Sequence, residues 1–158
     1  MEEPARRRPH GHDPPVGWTQ AIYYRDADGV EPVDVFIDEL DSALAAAKID
    51  DAIEEHLNGQ PEDAPPPPFP ITSQIEGPLR ELRVRFARTH YRVLYQRSHN
   101  LIVLLHAFEK RTGQVSEQDK TTAKDRMADY LEAMNATPKR KPRAAGHDAP
   151  PKTRSVER

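Results

Sequence analysis

Apolar positions in this chain recur with two different periods, separated by a long run rich in proline. From Leu79 to Thr112 the sequence LRELRVRFARTHYRVLYQRSHNLIVLLHAFEKRT holds three short apolar runs with hairpin-sized breaks between them. That pattern predicts an antiparallel meander over about Leu79–Phe86, His90–Gln96 and Leu101–Phe108. In the first strand Leu82, Val84 and Phe86 share one face, while Glu81, Arg83 and Arg85 take the other. The third run is apolar on both faces, as expected of an interior strand.

Earlier in the chain, Gln20 to Arg25 reads as a short strand closed by the turn residues Asp26-Ala27-Asp28-Gly29. Pro32 suits a first helical turn, and Val33, Phe36, Ile37, Leu40 and Leu44 follow at helical spacing. A second helix over Ala45 to Asn58 buries Ile49, Ile53 and Leu57, with Gly59 as its stop. Gln60 to Pro70 contains six prolines and predicts a stiff, irregular loop. Beyond the meander, Ser116 caps a final helix with Asp119 three residues on. Ala123, Met127, Tyr130, Leu131 and Met134 form its buried stripe.

The resulting order, β-α-α-β-β-β-α, predicts an α+β fold. A small antiparallel or mixed sheet of about four strands carries an N-terminal helical hairpin and a C-terminal helix. This domain spans residues 18–135, between tails at 1–17 and 136–158 whose composition cannot support a core. Prolines and arginines dominate the first tail. The second holds seven Lys/Arg, two acidic residues and four prolines from Thr137 to Arg158, a solvated basic arm.

Charge changes the picture because it is unevenly spread. The formal net charge is only −3. Yet Glu31 to Asp63 holds eleven acidic residues against Lys48 alone, and Leu79 to Arg126 holds eleven Lys/Arg against five Asp/Glu. The helical hairpin is therefore acidic outside, and the meander is cationic. The absence of cysteine excludes disulfides and thiolate metal sites and fits a reducing cytoplasm. No apolar run approaches the roughly 20 residues that span a bilayer. Arg6-Arg7-Arg8 has no apolar stretch behind it and is not a secretory signal. His10-x-His12 lacks a third ligand, so no metal site is expected.

Three phrases carry a family resemblance: Leu79-x-Glu81-Leu82-Arg83, Tyr91-Arg92-Val93-Leu94-Tyr95 and Leu104-Leu105-His106-Ala107-Phe108-Glu109-Lys110-Arg111-Thr112. Together they resemble the phage-derived, HigB-like branch of the RelE/ParE toxin superfamily, over roughly Ile22 to Leu131. The resemblance implies the toxin of a type II toxin–antitoxin system, an endoribonuclease that cuts mRNA in the ribosomal A site. Its partners would be mRNA, the ribosome and a cognate antitoxin with a helix-turn-helix domain. No membrane and no small-molecule cofactor are implied. Two rival readings remain open: a non-catalytic nucleic-acid or ribosome binder of phage or prophage origin, and a ParE-like gyrase poison. The proline loop and the tails depart from the family pattern, as does Glu109, a negative charge beside Lys110.

Metal-free RNA cleavage makes definite chemical demands. The 2′-hydroxyl attacks its neighbouring phosphate, so a group must accept that proton, cations must neutralise the phosphorane, and the 5′-oxygen must be helped to leave. Guanidinium groups suit the second task, being permanently charged and able to make two parallel bonds to phosphate oxygens. Arg83, Arg92, Lys110 and Arg111 are the catalytic candidates, with His90 as the possible base because imidazole titrates near neutrality. Arg85, Tyr91, Tyr95 and Arg97 are the candidates for substrate contact, the tyrosines by stacking if they leave the core. His106, inside an apolar run, reads as a hydrogen-bonded core histidine.

Overall fold

The computed structural model describes residues 17–110, 113–136 and 142–148. Its centre is one six-stranded mixed sheet. The strands are β1 (Gln20–Tyr23), β2 (Thr72–Glu76), β3 (Leu79–Phe86), β4 (Thr89–Ser98), β5 (Leu101–Lys110) and β6 (Arg143–Ala144). They are ordered β2-β3-β4-β5-β1-β6 across the sheet. β1 runs parallel to β5, and every other pairing is antiparallel. As its two-faced apolar pattern requires, β5 lies inside the sheet. Val103, Leu104 and Leu105 on it are fully buried.

Helices α1 (Pro32–Asp38) and α2 (Ala43–His56) cover one face of the sheet, and α3 (Glu117–Met134) covers the other. On the hairpin side Ile37, Ile49, Ile53 and Leu57 meet Leu82, Val93 and Leu104. Each such fully buried aliphatic contributes about 1.5–3 kcal/mol. On the α3 side Ala123, Met127 and Tyr130 meet Leu79, Leu94, Val103 and Leu105. Ser116 caps α3 as expected, its Oγ accepting from the Asp119 amide at 3.0 Å.

Four differences from the sequence reading have local causes. Leu44 does not continue the first helix. Ser42 caps a new one by accepting from the Ala45 amide at 3.1 Å, and Leu44 is left exposed on it. Leu131 is likewise exposed on α3, and Ala133 takes the buried position. The sheet has six strands rather than about four, because polar Thr72–Glu76 pairs with β3 as an edge strand. The sixth strand comes from the segment that composition assigns to a disordered tail.

That segment is held by specific bonds rather than by apolar bulk. Arg143 forks onto Glu31 at 2.9 and 3.1 Å, lies 3.1 Å from Asp34, and stacks 4.7 Å from the Tyr23 ring centre. Burial opposes the Arg143 charge, but its bonds to Glu31 and the Asp34 charge outweigh it and raise the pKa. Asn58 ties β1 and α2 to the segment that follows β6. Its Oδ1 accepts from the Ala21 amide at 2.6 Å, and its Nδ2 donates to Glu54 and to the Ala145 carbonyl, each at 3.0 Å. Gly146, at φ +78°, passes so close that a Cβ there would sit 2.6 Å from Asn58 Nδ2. Residues 1–16 of the first tail, with Arg6–Arg8 and His10-x-His12, lie outside the described residues.

Candidate functional site

The α3 face of the sheet is polar at one end. Strand register sets Arg83 of β3 beside Arg92 of β4, and Arg92 beside Phe108 of β5. The next row on the same face joins Arg85, His90 and Lys110, roughly 7 Å further along the strands. Lys110 reaches this face through a β-bulge. Leu94 pairs with His106 but Tyr95 pairs with Leu104, so Leu105 is an extra residue. The bulge reverses the alternation of β5. Ile102 and Leu104 face the helical hairpin, whereas Phe108 and Lys110 face the α3 side.

Between these rows, β2 and the start of α3 lies a cleft of about 540 Å³. Arg83, Arg92, Lys110 and Lys120 line it with Glu81, Gln74, Ile75, Gly113, Gln114 and Val115. Among the described residues, four cations thus face one carboxylate. Three of the four come from separate strands and were anticipated; Lys120, in the first turn of α3, was not. Nothing in a helical pattern marks one polar lysine as part of a sheet-side cleft.

Glu81 organises the floor. It is 4% exposed, as Arg92 is 5% exposed. Its Oε2 accepts from Ser73 Oγ at 2.6 Å and from Arg83 Nη1 at 3.1 Å. Its Oε1 lies 3.1 Å from Arg92 Nε, off the N–H axis, so neither of these two buried atoms completes a hydrogen bond. Arg92 Nη1 donates to the Tyr91 carbonyl at 3.2 Å. Burial lowers the Arg92 pKa, the Glu81 charge opposes that, and the Arg83 charge adds to it. Two guanidiniums share a single carboxylate, so the floor keeps a net positive charge, with Glu81 and Arg92 themselves buried. An anion entering there meets a strengthened field. The Lys110 ammonium donates to the Gly113 carbonyl, and Lys120 lies 3.1 Å from Glu117 and 3.7 Å from Glu76.

The other candidates fall elsewhere. His90 is exposed, in the row beyond Arg92 and next to Lys110. Arg85 is exposed beside it and donates to the Ala87 carbonyl at 3.1 Å. Tyr91 and Tyr95 are on the opposite face, buried in the hairpin-side core, where Tyr91 meets Phe36 edge-on at 6.2 Å. Their rings are not presented to the cleft. Arg97 is at the far end of β4, bonded to the His99 and Glu62 carbonyls at 2.7 and 2.5 Å. Arg111 lies outside the described residues. His106 is engaged with α3: its Nε2 is 2.7 Å from Asp119 Oδ1, and Arg126 Nη1 lies 3.3 Å from its Nδ1. The network assigns the proton to Nε2, and the ring bonds helix to sheet.

A second residue escaped the sequence reading. Phe69, in the proline loop, is 68% exposed, and its ring centre lies 4.9 Å from the Arg83 guanidinium carbon.

These features define a small α+β protein with a cation-lined cleft between a mixed sheet and its covering helix. No helix among the described residues is long and apolar enough to cross a membrane. A family model described as "Phage derived protein Gp49-like (DUF891)" matches residues 36–128, more than half of the 158-residue chain. The chain belongs to this phage-derived Gp49-like family. No curated protein and no solved structure gives a match.

Proposed function

We propose that the protein is the toxin of a type II toxin–antitoxin pair and a metal-independent endoribonuclease acting on mRNA at the ribosome. The observation that carries this reading is the convergence of Arg83, Arg92 and Lys110 from three strands on one cleft. In the reaction the 2′-oxygen bonds to phosphorus and the P–O5′ bond breaks, leaving a cyclic phosphate and a 5′-hydroxyl. Arg92 and Arg83 neutralise the phosphorane, each such preset donor being worth roughly 3–4 kcal/mol. Lys110, at the strand end, supplies the proton or positive charge to the departing O5′. His90, the neighbour of Lys110 across the strand pair, accepts the 2′-hydroxyl proton directly or through water. The work is cytoplasmic, and the antitoxin blocks the cationic face.

Two observations favour a second reading, that of a binder without catalysis. Both arginines already contact Glu81, and His90 stands outside the cleft lining. The two are separated by inducing the chain in a susceptible host and mapping mRNA ends. Cleavage in phase with codons is the expected result. Translation arrest over intact messages would leave only the binder, and DNA breaks would point to a gyrase poison.

A further inference from the structure

We infer that Phe69 is a stacking platform for an unpaired nucleobase at the rim of the cationic cleft, an inference that rests on reading the cleft as an RNA phosphate site. Single exposed apolar residues are common and need no special cause. Phe69 differs in what holds it. One neighbour of its ring is the Arg83 guanidinium, 4.9 Å from the ring centre. Arg83 is fixed in turn by Glu81 at 3.1 Å and lines the cleft.

The backbone under Phe69 is also pinned. Prolines occupy positions 65–68 and 70, which restricts the loop before any ligand arrives. The Ile71 amide donates to the Pro68 carbonyl at 2.9 Å, Thr72 Oγ1 donates to the Pro67 carbonyl at 2.5 Å, and the Arg83 amide donates to the Ile71 carbonyl at 2.9 Å. The ring is thus attached to the strand that carries Arg83, and ordering a base against it costs little further entropy.

Charge and shape select the occupant. Among the described residues the cleft lining contains no aromatic side chain, so its cations grip phosphate without reading a base. Phe69 supplies the missing flat surface beside them. A strand with unpaired bases offers an exposed π-face to such a ring, while a duplex keeps its bases covered by their neighbours. The ligand class is therefore single-stranded RNA with one base turned out next to the phosphate held by Arg83.

The test uses the full chain and an uncleavable single-stranded 2′-O-methyl RNA carrying 2-aminopurine, whose fluorescence reports stacking, with the matched duplex as a second probe. The wild type should bind the single strand with a fluorescence change. Phe69→Ala should weaken that binding by roughly 5- to 150-fold and abolish the change, and Phe69→Trp should restore both. Duplex binding should move less than twofold. Melting of the exposed-site variant should match the wild type, which removes unfolding as a cause. Single-strand affinity within twofold for Phe69→Ala overturns the stacking role while leaving the RNA-site reading intact, even if antitoxin binding is lost in that variant. An equal loss on duplex also overturns the role. A wild type that binds neither probe overturns both proposals together.

Discussion

Replacing Arg92 with Ala separates the stability of the cleft floor from its chemistry, because the two effects differ in size. Arg92 is 5% exposed and faces Glu81 across 3.1 Å. Removing one partner of an isolated buried pair costs about 3–5 kcal/mol, since the survivor is stranded. Glu81 is not stranded here: Arg83 Nη1 remains at 3.1 Å and Ser73 Oγ at 2.6 Å. The cost should therefore fall to about 1–2 kcal/mol, a fall in Tm of roughly 5–10 °C. Against a domain stability of about 5–15 kcal/mol, most molecules stay folded. Loss of a donor to the phosphorane removes about 100- to 1,000-fold in rate, far more than such a change in folded population can explain. Arg92→Lys keeps the charge but not the fork, and should fall between. The assay is cleavage of mRNA on programmed ribosomes, with melting followed in parallel. In cells, growth arrest should vanish while antitoxin affinity stays within about tenfold. A folded Arg92→Ala protein that cleaves within about threefold of wild type would refute the assignment of Arg92 to phosphate, and with it the reason for placing the reaction in this cleft.

Three further outcomes follow from the same geometry. Lys120→Ala should lower the slope of log affinity against log salt for single-stranded RNA by roughly 0.7, the share of one phosphate contact; an unchanged slope removes Lys120 from the interface. Asn58→Ala leaves the Ala21 amide and the Ala145 carbonyl without the side chain that joins them. It should cost about 2–3 kcal/mol, with loss of hydrogen-exchange protection at residues 143–145 before the rest of the sheet. Glu76 is held below its ordinary carboxylate value of 4.5, chiefly by its hydrogen bond and charge contact with Lys124, then by Lys120. A carboxylate with a lowered folded pKa stabilises above its unfolded value and loses that contribution as pH falls through the folded one. The tether of α3 to β2 should therefore weaken as pH drops below about 4.5, and Glu76→Gln should flatten that part of the melting-against-pH curve; identical curves would exclude the tether.

Much of the fold was legible because it rests on local periodicity. Alternation gave the faces of β3, and the tyrosines of β4 lie in the core from which stacking would have had to release them. Helical spacing gave Ile49, Ile53 and Leu57. What escaped depends on polar partners far away in sequence. Thr72–Glu76 has no apolar alternation, and becomes a strand through pairing with β3. Arg143 to Gly146 reads as tail because composition registers only charge and proline. It is ordered by Glu31, Asp34 and Asn58, which lie roughly ninety to a hundred and ten residues earlier. Counting apolar area cannot find a strand that is held by a guanidinium fork and one amide.

The site shows the same division more sharply. That Arg83 and Arg92 share a face follows from alternation alone; that they are neighbours needs register. Lys110 needs something further. Ile102 and Leu104 face the hairpin, so unbroken alternation along β5 would send residues 106, 108 and 110 to that side as well. The cation at the strand end would then sit across the sheet from both arginines. The extra residue at Leu105 turns the end of β5 over, placing His106 against α3 and Lys110 in the cleft. No residue in Leu104-Leu105-His106 announces a bulge, since all three types tolerate a regular strand. The pairing of His106 with Asp119 and Arg126 fixes the turned-over end from the helix side. The assembly of the cationic cleft is therefore a tertiary property: α3 selects the phase of β5, and the phase of β5 decides whether three positive charges meet.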